Sequence, residues 1–228
     1  MGIGAYLLYF ALLMLIPLWA QSRVKSAYKK YSKVPNSSGM SGAEVARRIL
    51  DQNGLYNVSV EEVRGRLTDH YDPRSKVIRL SSENYHGHSV AGAAVAAHEV
   101  GHAIQDQQSY APLRFRHALV PIASLGSNLS YILIFIGFLL GALNLALLGI
   151  IFMSAAVLFQ LVTLPVEFNA SSRAMDQIIS VGAIRNDEER ETKKVLNAAA
   201  LTYVAAAFVA VLELLRFVLM FAGLNQED

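Results

Sequence analysis

The chain contains no cysteine. That excludes disulfides, thiolate zinc ligands and a cysteine nucleophile, and it leaves the redox compartment open. Charge is also scarce: charged residues make up 17% of the 228 positions, against 54% hydrophobic ones. So apolar a composition points to a membrane protein. The formal net charge is only +2, so nothing argues for nucleic acid as a partner. No internal repeat or low-complexity segment interrupts the chain.

What is present is apolar length. Four stretches approach the roughly 20 residues that span a bilayer. Residues 1–20 form a first transmembrane helix. Residues 119–164 form a transmembrane helical hairpin with a short turn near Gly141. Residues 195–222 form a fourth helix. Glu213 and Arg216 lie inside this last stretch, at an i,i+3 spacing that lets them pair. No charged side chain precedes Arg23, so the first stretch reads as an uncleaved anchor rather than a signal peptide. Nineteen of the 20 lysines and arginines fall in two loops, before the hairpin and after it. With four spans both loops share one side, and the positive-inside rule makes that side the cytoplasm. Both termini are then expected outside.

The larger loop, residues 21–118, reads as a small cytoplasmic α+β domain. Ser41 and Glu44 make a capping box ahead of apolar Val45, Ile49 and Leu50, and Asn53-Gly54 stops the helix. "NVSVEEV" alternates as a strand does. "RLTDHYDPRSKVIRLS" reads as two strands around Asp72-Pro73-Arg74-Ser75. An exposed edge strand of such a sheet can hold an extended peptide. Residues 89–108 follow as an alanine-rich helix.

That helix carries "HEVGH". His98 and His102 sit at i and i+4, on one face, where two neutral imidazoles can bind one Zn²⁺. Glu99 lies one step round and is placed to act as general base on a water, then as acid towards a leaving amine. A catalytic zinc wants a third protein ligand and an open position. Gln105 and Gln108 stand where the metzincin pattern needs Gly and His, so that class is excluded. His86, His88, Glu83 and His117 are possible third ligands, but the best is Glu167 in "LPVEFNASSRA". A new helix is expected to begin there after Pro165, opening the cytoplasmic helical segment 165–194. A hairpin formed by residues 119–164 would return Glu167 to the side where the loop with the two histidines is anchored. For the oxyanion, Arg173 is the leading candidate, with His88, Tyr85 and His70 behind it.

The motifs "AAHEVGHAIQ", "DHYDPRSKVIRLS" and "LPVEFNASSRA", set among four apolar spans, resemble the YugP-type neutral zinc metallopeptidases of bacterial membranes. The resemblance covers essentially the whole chain. It implies a multi-pass protein of the bacterial plasma membrane that cleaves peptide or membrane-protein substrates with zinc. It assigns His98, His102 and Glu167 to the metal and Glu99 to catalysis. The arrangement is also similar to the HtpX-like membrane proteases, whose third-ligand segment reads E-x-x-A-D. Here Ser171 stands in place of the aspartate that would orient a zinc-bound histidine, leaving Asn169, Ser171 or Asp106 for that job. Two other readings compete. A site-2-type intramembrane protease would bury HExxH in a spanning helix and take an aspartate ligand from another span. A non-enzymatic membrane-organising or transport protein would use a structural zinc site, or none.

Overall fold

The computed structural model describes residues 3–224. Among them run seven helices and three strands: α1 (Ile3–Tyr31), α2 (Gly42–Gln52), β1 (Ser59–Val63), β2 (His70–Asp72), β3 (Val77–Ser81), α3 (Ser82–His86), α4 (Val90–Gln107), α5 (Ala111–Leu139), α6 (Leu143–Ser180) and α7 (Glu189–Leu224). Four of these helices, α1, α5, α6 and α7, are long and apolar enough to cross a membrane. The chain divides into two compact units. One comprises Met1–Pro17, Ala111–Pro165 and Tyr203–Asp228, the other Leu18–Tyr110 and Val166–Thr202.

The first unit is helical. The turn between α5 and α6 falls at Gly141, whose φ of +62° suits a residue without a β-carbon. The two helices approach closely through small residues, as with Gly126 against the Phe152 carbonyl. Ile134, Ile150, Met153, Val157 and Phe217 form the buried core. The expected Glu213–Arg216 pairing gives way to other partners. Glu213 accepts a hydrogen bond from the Tyr131 hydroxyl. Arg216 lies over the Phe217 ring at 4.3 Å and the Tyr9 ring at 5.2 Å.

The second unit joins the sheet to helices. The α2 capping box closes as its sequence demands: the Ser41 N–H donates to Glu44 Oε2 at 2.7 Å and the Glu44 N–H to Ser41 Oγ at 3.3 Å. At the other end Leu55 N bonds Leu50 O and Gly54 N bonds Asp51 O, the paired bonds of a Schellman stop. The apolar face of α2, Val45, Ala46, Ile49 and Leu50, is fully buried. The sheet order is β1-β3-β2. β3 lies between parallel β1 and antiparallel β2, which explains why four of its five residues are buried. β1 and β2 are edges. The β2–β3 turn is locked by Asp72, whose carboxylate accepts from the Arg74 N–H at 2.9 Å and the Ser75 hydroxyl at 2.5 Å.

A second expectation changes. No new helix begins after Pro165; the proline sits inside the continuous helix α6. It removes a single backbone donor, while long helical runs on both sides keep their own hydrogen bonds. Glu167 therefore belongs to the interior of a 38-residue helix, not to a first turn.

Candidate metal centre

α4 starts on a cap, with Ser89 Oγ accepting from the Gly92 N–H at 3.1 Å. Alanines fill its inner faces and pack into the core with β3 and α2 residues such as Leu80 and Ile49. This burial holds the helix rigid on all sides but the one bearing the histidines. Gly101, the residue before His102, allows α6 to come in close. A β-carbon there would stand 2.5 Å from the Ala170 carbonyl oxygen. The missing side chain is what sets the α4–α6 spacing.

That spacing brings His98, His102 and Glu167 together. Their candidate ligand atoms all lie within 4.8 Å of one another. Glu167 Oε2 is 3.3 Å from His98 Nε2 and 3.6 Å from His102 Nε2. Ordinary N–H···O bonds run at about 2.7–3.2 Å. By contrast, ligand bonds of about 2.0–2.1 Å at tetrahedral angles put neighbouring donors about 3.3 Å apart. The two carboxylate–imidazole edges are close to that spacing, and two imidazoles with one carboxylate are a donor set zinc accepts. The side chains of His98 and His102 retain 14% and 13% exposure and Glu167 only 4%, so the carboxylate is enclosed and the imidazoles remain reachable.

The other ring nitrogens are engaged as well. His98 Nδ1 meets Ser171 Oγ at 3.2 Å, and His102 Nδ1 meets Gln105 Oε1 at 3.0 Å. Both Nε2 atoms consequently face Glu167. Burial pulls the His102 pKa down. The facing Glu167 carboxylate, the charge of Glu99 and the hydrogen bond to Gln105 together outweigh it, so the net direction is upward. The Glu99 carboxylate is thus near enough to act on His102, and the residue is buried.

The remaining candidates have other partners. Arg173 donates from Nε to Asn169 Oδ1 and from Nη1 to Gln108 Oε1, both at 2.7 Å, and lies over the Tyr110 ring. Asp106 accepts from the Tyr71 hydroxyl and Lys76 Nζ. His70 meets the Thr68 carbonyl, two residues back, and His86 meets Glu62. Tyr85 packs edge-on against His86, the His88 carbonyl accepts from the Asn36 N–H, and Glu83 pairs with Arg66. In the sequence Gln105 speaks only against the metzincin pattern. Its position, three residues past His102, is the signal that marks it as a same-face neighbour of that ring.

The family described as "Putative neutral zinc metallopeptidase" matches residues 6–222. The chain belongs to that family. It is 60% identical over 213 residues to the "Putative membrane protease YugP" of Bacillus subtilis (strain 168), an alignment covering 93% of this chain and 95% of the relative. No solved structure matches. Membership of a zinc metallopeptidase family agrees with a donor cluster that could hold a metal ion.

Proposed function

We propose that this protein is a membrane-bound zinc peptidase that hydrolyses peptide bonds at the cytoplasmic face of the plasma membrane. His98, His102 and Glu167 hold the metal and Glu99 is the general base and acid. The observation that carries the reading is the placement of Glu167 Oε2 at 3.3 Å and 3.6 Å from the two Nε2 atoms.

Zinc in this site would supply Lewis acidity to the water and to the carbonyl under attack. The chain's own residues do the rest. Glu99 takes a proton from the attacking water as its oxygen bonds to the carbonyl carbon. It returns a proton to the amide nitrogen as the C–N bond breaks, leaving a carboxylic acid and an amine. Arg173 is the cation we assign to the carbonyl oxygen as negative charge develops there. Its anchorage on Asn169 and Gln108 fixes its position in advance. The open side of β2 offers backbone groups to an extended substrate, and Tyr71 of that strand is tied to Asp106 on α4.

The site-2-type alternative would need HExxH in a spanning helix, and α4 is not one of the four helices long and apolar enough to cross. A structural zinc usually has four protein ligands, and among the described residues three donors gather here. The test is zinc content and peptide hydrolysis in the purified parent, Glu167→Ala and Glu99→Gln. Glu167→Ala should lose both zinc and activity; Glu99→Gln should keep zinc and lose activity. A parent protein that binds no zinc, or a Glu99→Gln protein as active as the parent, would refute the reading.

A further inference from the structure

Gln105 is fully buried and its side-chain amide is saturated. Nε2 donates to the Val166 carbonyl at 2.8 Å and to Asn169 Oδ1 at 3.0 Å, while Oε1 meets His102 Nδ1 at 3.0 Å. A backbone carbonyl can only accept, so the amide has one workable orientation, with nitrogen towards Val166 and oxygen towards His102. An amide oxygen in turn can only accept, so His102 Nδ1 must carry a proton. The neutral ring then has its lone pair on Nε2, facing Glu167. The fixing partners belong to the "VEFN" stretch of α6 that also bears Glu167. Asn169 Oδ1 is itself held by Arg173 Nε.

We infer that Gln105 is the positioning residue of the metal site: its amide fixes the tautomer and direction of His102 and ties that ring to the α6 turn carrying Glu167. Histidine ligands to metals generally need such a partner on the second nitrogen, and its loss costs about 10–100-fold in metal affinity. The two imidazoles are held differently. His98 rests on the hydroxyl of Ser171, a group that can rotate and either donate or accept. His102 rests on an amide that cannot turn without breaking two further bonds. Among these two contacts the Gln105 amide is the stiffer, so His102 is the better-fixed ligand. Asn169 acts one step further out, as a brace for Gln105.

The inference rests on the metal assignment above, and the test separates the two. Zinc affinity is measured by competition with a chromophoric chelator on the full-length protein in detergent, for the parent, Gln105→Leu, Gln105→Glu and Asn169→Leu. The cobalt-loaded forms are compared by visible absorption, which reports coordination geometry. Gln105→Leu removes the acceptor at similar volume and should weaken zinc binding about 10–100-fold, with a reduced and shifted cobalt band. Gln105→Glu keeps an acceptor against Nδ1 but turns its other oxygen on the Val166 carbonyl and Asn169 Oδ1, so it should recover only part of that loss. Asn169→Leu should fall between Gln105→Leu and the parent. If Gln105→Leu misfolds, Asn169→Leu against the parent still decides the question. Zinc affinity and cobalt spectra unchanged in the folded variants would overturn the role of Gln105 while leaving the metal site intact. A parent without zinc affinity would remove the site itself.

Discussion

Gly101 and Ala170 touch backbone to backbone, with no room between them for a single methyl group. The contact lies one residue from His102 and three from Glu167, so it sets the distance between proposed metal donors on different helices. A Gly101→Ala substitution must push α6 away. Overpacking of this kind costs about 1–3 kcal/mol. The expected outcome is a lower melting temperature together with weaker zinc binding, read by calorimetry and chelator competition. Full zinc affinity in a stable Gly101→Ala protein would show that the spacing is not set there.

Glu99 should separate binding from chemistry. Glu99→Gln preserves shape and leaves the three proposed metal donors untouched. Peptide hydrolysis should drop by about 10²–10⁴-fold, the usual contribution of a positioned acid–base group. Single-turnover rates and metal content on the same preparation provide the check.

Metal removal should destabilise the unit made of Leu18–Tyr110 and Val166–Thr202. At free zinc 100-fold above the dissociation constant, an ion bound only by the folded state adds about 2.7 kcal/mol. Thermal melts with zinc and with excess chelator should differ accordingly. In the Glu167→Ala protein the two melts should coincide.

Acid should loosen the β2–β3 turn in a defined window. The Ser75 hydroxyl and the Arg74 N–H hold the Asp72 carboxyl down at about 2, against an ordinary value of 3.8. A depressed folded-state pKa gives stability that is present above the unfolded value and is lost as pH falls through the folded one. The parent's advantage over Asp72→Asn should therefore be constant above about pH 4 and vanish near pH 2. The carboxylate is partly exposed, so the effect will be small. Melting curves of the two proteins across that range test it.

How much of this could be read from the chain follows from the range of each interaction. The capping box of α2, the Asp72 turn and the alanine-rich helix with its two histidines are local patterns, and local chemistry determines them. Four long apolar helices followed from composition alone. The continuity of α6 through Pro165 did not, because a proline reads as a break unless the helical runs on both sides are known to hold. The interplay of Gln105 with Val166 and Asn169 spans more than sixty residues, and no periodicity announces it. Nor do the partners of Glu213 and Arg216 follow from their spacing, since rings and a phenol on other helices compete for them.

The donors of the metal centre are divided between two distant parts of the chain, imidazoles first and carboxylate more than sixty residues later. During synthesis the emerging polypeptide carries both histidines and Glu99 well before Glu167 exists. All of α5 and the first half of α6 must be made in between. A truncated or stalled product thus has only two of the three proposed donors. Under the proposed assignment the metal site is complete only once α5 and most of α6 have been made, so tight zinc binding would report how much of the chain has been produced.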